Sequence, residues 1–202
     1  MIFFLSFIVA FAVGSIPFGY LIGRFVYRVD IREHGSGNIG AMNALRALGK
    51  MGAAAVLLLD TVKGFAPAFS ALALGYGDVA ASLAAGGSVL GHCFSPWLRG
   101  RGGKGVATSF GAIVALNPYA GAIAILGWIA GALATQYSSV GSFFGSLLAP
   151  VALYIFSRGS LAETVYGLFA LAVILYTHRE NVLRLRNGSE NPISISPRHK
   201  RE

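Results

Sequence analysis

Charged residues are scarce in this chain, and acidic residues are scarcer than basic ones. Only 12% of its 202 residues are charged and 55% are hydrophobic, whereas about a quarter of a typical soluble domain is charged. This composition excludes an ordinary soluble domain and favours a polytopic membrane protein. The 8 acidic residues are scattered along the sequence rather than clustered. They therefore offer no site for a metal-dependent phosphotransferase, and neither a metal nor a cofactor is predicted.

Cysteine is also nearly absent, with Cys93 as its single instance. A lone cysteine excludes an intrachain disulfide and a cysteine-built zinc site, and its apolar neighbours favour a packing role. Residues 1–23 lack the basic segment that opens a signal peptide, and their apolar run is longer than a signal-peptide core. We therefore interpret the N-terminus as a retained membrane-spanning helix.

Long apolar runs are what the sequence has in abundance. A helix needs about 20 apolar residues to cross a bilayer, and fewer where its end is buried in protein. Turn-forming stretches such as Asn117-Pro118 and residues 157–160 separate the runs. We predict an all-α, polytopic membrane protein, a single domain over residues 1–202. Its seven transmembrane helices are expected at residues 2–25, 52–75, 79–97, 106–117, 119–135, 141–157 and 162–177.

Basic residues fall almost entirely in alternate connections between these spans. Five lie in the first connection, three in the third and six after the seventh span, which leaves only Lys63 and Arg158 elsewhere. Because cytoplasmic loops are enriched in Lys and Arg, we expect the N-terminus outside and the C-terminus in the cytoplasm. Residues from about 190 to 202 are expected to form a flexible basic tail.

A glycine-rich loop interrupts the apolar sequence at GRGGKGVATS, residues 100–109. It fails the Walker pattern, in which Ser or Thr follows the lysine. Backbone amides of such a loop, and the helix that starts after it, can still surround an anion beside a lysine. The expected phosphate ligands are Lys104, Gly102, Gly103, Gly105 and Thr108. In the alternative interpretation the glycines serve helix packing and the lysine only marks the cytoplasmic side.

A second candidate phosphate site lies in residues 36–46, where short polar side chains alternate with glycines. The planar guanidinium of arginine suits a phosphate dianion. The expected substrate ligands are Ser36, Asn38, Asn43 and Arg46. The alternative is an interfacial turn whose Ser and Asn side chains cap a short helix.

His178 and Asn181 follow the seventh span and share one helix face by their spacing. With Lys104 they form the predicted catalytic set. The alternative is that His178 only places a cation at a helix C-terminus, which is expected in any case. Ser142, in the polar stretch 135–142, is a further candidate substrate ligand, with a simple turn as the alternative.

Ionisable residues also occur inside two predicted spans. Asp60 and Lys63 are three residues apart in the second span, so they can pair on one helix face, as charges within a membrane generally must. A packing role for this pair is as plausible as a direct one. The same holds for His92, near the end of the third span.

Three of these stretches together resemble the signatures of a known family. SGNIGAMN (36–43), GHCFSPWLRGRGGKGVATSFG (91–111) and HRENVLRL (178–185) are similar to the motifs of the bacterial acyl-phosphate:glycerol-3-phosphate acyltransferases. Motif order, chain length and the seven-span pattern extend the resemblance over nearly the whole chain. Two departures are Met42, where the family usually has Thr, and Ser95, which is inserted between Phe94 and Pro96.

The resemblance implies a multi-pass enzyme of phospholipid biosynthesis in the bacterial cytoplasmic (inner) membrane, with its active site facing the cytoplasm. It implies acyl transfer from acyl phosphate to the 1-hydroxyl of sn-glycerol 3-phosphate, which gives lysophosphatidic acid and phosphate. The lipid bilayer and these substrates are the expected partners, and no nucleic acid is expected. A membrane transporter of a small organophosphate is the alternative function, although the sequence has no internal repeat to support it.

An acyl phosphate is a mixed anhydride with a good leaving group, so it needs little help from a base. No histidine here is followed five residues later by Asp, the pairing of many acyl-CoA-dependent acyltransferases. We therefore expect direct attack by the glycerol hydroxyl, with the glycine loop and Lys104 holding the departing phosphate. The proton is expected to go to a substrate phosphate oxygen, with His178 as the alternative base.

Overall fold

The structure is a computed structural model that describes residues 1–193, and all regular secondary structure in that range is helical. The predicted all-α class is therefore confirmed. A π-helical turn, Ile22–Val26, continues the second helix, and short 3-10 helices cover Ile31–Glu33 and Pro96–Leu98. The α-helices are α1 (Ile2–Gly14), α2 (Phe18–Leu21), α3 (Ala41–Ala73), α4 (Gly77–Cys93), α5 (Val106–Leu116), α6 (Pro118–Thr135), α7 (Ser138–Phe156), α8 (Leu161–Thr177) and α9 (Arg179–Arg186).

Four helical segments of the described chain are long and apolar enough to cross a membrane. They are Ile2–Val26, Ala41–Ala73, Pro118–Thr135 and Ser138–Phe156, and α8 with α9 makes a fifth if that pair, bent by 55°, counts as one span. Each of the seven predicted spans coincides with a helix, but α4 and α5 have only 17 and 11 residues. Length and composition thus support four or five crossings.

Glycine allows the helices to approach one another closely. A Cβ at Gly87 or Gly91 of α4 would collide with carbonyl oxygens of α1. A Cβ at Gly64 of α3 would strike the backbone of Thr108, and one at Gly111 of α5 would strike the backbone of Thr61. Since lipid provides no hydrophobic force between helices, such small-residue contacts are the usual basis of helix packing in membranes.

The long helix α3 changes direction at Gly49, where the backbone leaves the helical region with φ +79° and ψ −172°. Glycine adopts this conformation without a Cβ penalty. Residues 41–48 therefore form a short helix of their own, while residues 50–73 carry the apolar part of α3. Asn43 and Arg46 lie on the short helix, which places them beside the loops at that end of the molecule.

Polar connections meet at two ends of the helix bundle. At one end, the Asn117 side chain donates to the Phe156 carbonyl over 3.0 Å, and Ser160 donates to the Asp78 carboxylate over 2.6 Å. At the other, the Ile193 amide donates to the Gln136 carbonyl over 2.8 Å. Ile193, close to the start of the predicted flexible tail, therefore contacts the turn between α6 and α7, and the tail itself stays a prediction. Residues 194–202 of that predicted tail lie outside the described residues.

Candidate active site

A cavity of about 410 Å³ lies between α3, α5, α6, α7 and the chain around α9. Along α5 its wall runs from Val106 to Val114, about 12 Å at 1.5 Å per helical residue. Loops and helix ends supply most of its polar lining, and the middles of α3, α5 and α6 supply the apolar lining. The predicted site residues among the lining are Ser36, Asn38, Asn43, Arg46, Lys104, Gly105, Ser142, His178 and Asn181.

Lys104 lies at the polar end and donates from Nζ to the Asn181 side-chain oxygen over 2.5 Å. The Asn181 amide nitrogen in turn donates to Glu190 Oε1, also over 2.5 Å. Asn181 thus links the ammonium to a carboxylate without direct contact between the two charges. Burial lowers the pKa of Lys104 to about 8, and the nearby Arg184 acts in the same direction.

Glu190 is held by two further groups besides Asn181. It accepts hydrogen bonds from Ser139 Oγ over 2.9 Å and from Arg184 Nε over 2.8 Å. Burial alone would raise the pKa of this carboxyl, but the hydrogen bonds from Asn181, Arg184 and Ser139 outweigh it and hold the pKa below its usual value. Glu190 therefore remains an anion that joins α7 to α9 at the cavity wall.

His178 is buried where α8 gives way to α9, and its ring lies edge-on to Phe143. Its Nδ1 lies 2.9 Å from the Ile174 carbonyl oxygen. Since a carbonyl only accepts hydrogen bonds, Nδ1 is assigned the proton, and Nε2 is left with the lone pair. This tautomer leaves Nε2 able to accept a proton.

The loop before α3 is organised by Asn43. Its amide nitrogen donates to the carbonyl oxygens of Ile31 and Asn38 over 2.7 and 2.8 Å, and its oxygen accepts from the Ser36 amide over 2.9 Å. Both donors of Asn43 are thus used inside the protein, although no side chain caps the start of α3 as the alternative interpretation expects. The Asn38 side chain likewise accepts from the Gly40 amide over 2.9 Å.

Arg46 points from this loop region towards the segment after α9. Its guanidinium donates to the carbonyl oxygens of Pro192 over 3.2 Å and Asn191 over 3.5 Å. The Arg46 side chain lines the cavity, and a guanidinium pairs more strongly with a phosphate dianion than with neutral carbonyls.

The glycine loop differs from its predicted form at two positions. The amides of Gly102 and Gly103 donate to the carbonyls of Cys93 and His92, each over 3.0 Å. Substrate binding by Gly102 and Gly103 stays a prediction, and their amides have protein acceptors in this structure. A Cβ at either position would collide with α4, which gives the glycines a packing role.

The start of α5 retains the features expected of an anion site. Gly105 adopts φ +85° and precedes the first turn, in which helix amides have no intrahelical acceptor. Val106 and Ala107, in that turn, line the cavity beside Lys104. Thr108 is fully buried and is not among the lining residues, so its predicted contact with substrate is not supported by this geometry. Ser142 lines the cavity while its hydroxyl donates to the Ser138 carbonyl over 2.8 Å.

A buried ionic cluster lies beside the cavity. Lys63 Nζ is 2.7 Å from Asp60 Oδ1 and donates to the Ile16 carbonyl over 2.8 Å, which confirms the predicted pair. His92 Nδ1 is 3.6 Å from the same carboxylate oxygen, too far for a hydrogen bond. Asp60 and His92 both line the cavity, a position that sequence reasoning left undecided.

The apolar part of the cavity lies between α3 and α6. Leu57, Ile125 and Ile129 contribute to its wall and are 51%, 39% and 39% exposed. Apolar side chains exposed in a membrane protein face lipid, so this side of the cavity adjoins the hydrocarbon region. An acyl chain and a charged head group can thus occupy the two parts of one cavity.

Sequence reasoning missed Ser139, Arg184, Glu190 and Asn191 as cavity residues. The sequence does contain a signal for Glu190 and Asn191, because Asn187-Gly188 is a turn pair that reverses the chain after α9. Gly188 adopts φ +65° there. Within residues 1–193, no group of three or more His, Cys, Asp or Glu side chains is arranged to hold a metal ion. The two carboxylates that line the cavity, Asp60 and Glu190, each face basic partners instead.

Comparison with known proteins gives one consistent result. Residues 4–188 match the family model described as glycerol-3-phosphate acyltransferase. The glycerol-3-phosphate acyltransferase of Brucella suis is 43% identical to this chain, over 92% of this chain and 90% of the relative. That of Pelagibacter ubique is 40% identical, over 92% of this chain and 95% of the relative. Two crystal structures of PlsY (YgiH), an integral membrane glycerol 3-phosphate acyltransferase, have similar folds. The glycerol 3-phosphate form has a TM-score of 0.89 and is 35% identical over 94% of both chains. The lysophosphatidic acid form has a TM-score of 0.87 and is 34% identical over 96% of both chains.

Proposed function

The chain belongs to the glycerol-3-phosphate acyltransferase family, and we propose that its acyl donor is an acyl phosphate. It is a multi-pass membrane enzyme that acylates glycerol 3-phosphate. The 1-hydroxyl of sn-glycerol 3-phosphate is the proposed acceptor, and inorganic phosphate is the second product. This activity takes the place of the organophosphate transporter considered as the alternative.

The assignment of the donor rests on how polar and apolar residues are distributed along the cavity. Lys104 and the first turn of α5 lie at the polar end, and Val114, Trp128 and Ile129 line the apolar part. An acyl phosphate has the matching form, a phosphate joined to a long apolar chain. Such a donor places its carbonyl carbon between the two parts, where the acceptor hydroxyl must approach.

In the proposed reaction the 1-hydroxyl oxygen attacks the acyl carbon, and the bond between that carbon and the phosphate oxygen breaks. The phosphate leaves with the electron pair, and the hydroxyl proton is transferred to a phosphate oxygen. Lys104 and the amides of Val106 and Ala107 hold the departing phosphate, whose negative charge grows in the transition state. Glu190, through Asn181, keeps the Lys104 ammonium at that position.

The acceptor phosphate is assigned to Arg46, with Ser36 and Asn38 beside it in the cavity wall. A guanidinium forms charge-assisted hydrogen bonds with a phosphate dianion, and these are stronger than its bonds to neutral carbonyl oxygens. This assignment separates the two phosphates, with Lys104 at the donor and Arg46 at the acceptor. Asn43 supports the acceptor site by holding its loop.

His178 is the second candidate for the proton acceptor. Its Nδ1 faces the Ile174 carbonyl, which leaves Nε2 as the basic nitrogen. A substrate phosphate oxygen remains the preferred acceptor, because an anhydride with a good leaving group needs little base assistance.

We also propose seven crossings with the N-terminus outside and the C-terminus in the cytoplasm of the bacterial inner membrane. Contacts of Asn117 with Phe156 and of Ser160 with Asp78 bring the proposed external connections together. The opposite end carries Arg46, Lys104 and Arg184, as the enrichment of basic residues in the cytoplasm requires. The short α5 fits this topology because the glycine loop enters the bundle, with its amides bonded to carbonyls of α4.

Purified protein in detergent or lipid mesophase tests the donor directly. Palmitoyl phosphate and glycerol 3-phosphate should release inorganic phosphate and form lysophosphatidic acid in equal amounts. Palmitoyl-CoA with the same acceptor should give no product. Product formation from the thioester alone, or phosphate release that does not depend on glycerol 3-phosphate, contradicts the proposal.

A further inference from the structure

His92 lies between the buried ionic pair and the glycine loop, and nothing in the proposed reaction uses it directly. It occupies the last turn of α4, is 4% exposed and lines the cavity. Its Nδ1 faces Asp60 Oδ1 at 3.6 Å and has no hydrogen-bond partner among residues 1–193, whereas Asp60 Oδ1 is paired with Lys63. A buried histidine beside a carboxylate and the loop of Lys104 therefore calls for an explanation.

The far side of the His92 ring faces the glycine loop. A Cβ built at Gly103 would collide with Nε2 and Cε1 of the imidazole. The Gly103 amide also donates to the His92 carbonyl over 3.0 Å, so both the ring and the backbone of His92 contact this residue. Lys104 is the next residue along the chain, and its course into the cavity begins at this contact.

Asp60 limits where the ring can lie. Lys63 pairs with Asp60 over 2.7 Å and is itself anchored to the Ile16 carbonyl, so the carboxylate is fixed by α3 and by the chain after α1. An imidazole between this fixed anion and Gly103 has little freedom to move, because buried interiors are close-packed. Any shift of the ring is transmitted to the loop.

We propose that His92 is a positioning residue for acyl transfer, because its imidazole fixes the course of the glycine loop and thereby the place of the Lys104 ammonium. Asp60 and Lys63 hold the ring, and Gly103 is the residue through which it acts. This inference rests on the proposed role of Lys104 at the donor phosphate. It assigns a function to a cluster that the reaction itself does not require.

A double-mutant cycle between positions 92 and 103 tests the contact. His92→Ala and Gly103→Ala should each lower turnover on the order of a hundredfold, as small displacements of catalytic groups do. In the double variant the added methyl group occupies space vacated by the ring. Turnover should therefore recover about tenfold over Gly103→Ala, within the range of coupling between residues in contact.

Gly102 provides the matched control. A Cβ there would collide with the backbone carbonyls of His92 and Cys93, which a side-chain substitution at position 92 leaves in place. His92→Ala should therefore not improve Gly102→Ala. If His92→Ala alone fails to fold, the double variant with Gly103→Ala should restore folded protein, and its failure to do so counts against the proposal.

The pH profile separates positioning from a general loss of structure. A displaced loop exposes Lys104 to more water, so the alkaline limb of kcat/KM should move to higher pH in His92→Ala. The charged groups that act on Lys104 are unchanged in this variant; they are Arg184, Glu190, Glu180 and Arg46. If His92→Ala only reduced the fraction of folded, active protein, kcat/KM would fall at every pH and its alkaline limb would not move.

The outcomes distinguish this inference from the proposed function. If Lys104→Ala retains turnover, the role of Lys104 fails and this proposal fails with it. If Lys104→Ala loses turnover but positions 92 and 103 show no coupling, or the alkaline limb does not move, only the role of His92 is overturned.

Discussion

Lys104 and Asn181, 77 positions apart in the sequence, are joined by a hydrogen bond of 2.5 Å between Nζ and the side-chain oxygen. The same Asn181 side chain donates to Glu190, so one amide orients the cation and is itself held by an anion. The ammonium thus lies at a fixed place beside the first turn of α5. This arrangement is the structural basis for assigning the donor phosphate to Lys104.

Asn181→Ala should lower kcat by about ten- to a hundredfold, because hydrogen bonds to charged groups contribute about 1.5 to 3 kcal/mol. The loss follows from releasing Lys104 from its position while its charge is kept. Turnover at saturating substrates measures the effect. Arg186→Ala, at an exposed residue five positions further along, should behave as wild type, and an equal loss in both variants would contradict the assignment.

Arg46→Ala should raise the KM for glycerol 3-phosphate by about ten- to a hundredfold, since it removes a charge-assisted contact with the dianion. The KM for acyl phosphate should change far less. Lys50→Ala, which removes an exposed cation one turn further along, is the control and should leave both constants unchanged. Equal increases in both KM values for Arg46→Ala would show that this residue does not discriminate between the two phosphates.

Glu190→Gln should reduce turnover about tenfold or more, because a neutral amide holds Asn181 and Arg184 less strongly than a carboxylate does. Glu180→Gln, at an exposed position of α9, should have little effect. The pKa of Glu190 is held below its usual value, so its stabilising contacts are complete above that value and are lost as pH falls through the lowered pKa. Thermal unfolding across acidic pH should show this loss in the wild type and not in Glu190→Gln.

Activity should also decline on the alkaline side. Burial lowers the pKa of Lys104 to about 8, so its side chain is cationic below that pH and neutral above it. The profile of kcat/KM reports groups of the free enzyme and should fall as pH rises through about 8. Arginine remains charged throughout this range, so Lys104→Arg should lack the alkaline decline. A decline of the same midpoint in Lys104→Arg would assign it to another group.

The helical class, the positions of the helices and several cavity residues could be predicted, because they depend on local sequence patterns. Apolar runs separated by turn residues locate the helices, and Lys104, His178 and Asn181 occur in recognisable polar stretches at their ends. The sequence predicts the second span from residue 52, whereas α3 begins at Ala41, because residues 41–48 form a short helix of their own before Gly49. Composition does not distinguish such a short helix from a loop.

Other features depend on contacts between distant parts of the chain. Glu190 lies in a short polar segment typical of a tail, and only the reversal at Gly188 brings it to Asn181. Glycine spacing likewise predicts where a backbone can approach something closely, but not what it approaches. At Gly102 and Gly103 the neighbour is α4 rather than a phosphate.

Turnover of Lys104 variants with palmitoyl phosphate and glycerol 3-phosphate is the most direct measurement of how this enzyme holds its leaving group. Groups that act on transition-state charge commonly contribute a hundredfold or more, so Lys104→Ala should lose at least about that factor while unfolding at a temperature near that of the wild type. Lys104→Arg keeps the charge on a bulkier group and should recover part of the rate. A folded Lys104→Ala protein that retains near wild-type turnover would contradict the role of Lys104 at the donor phosphate.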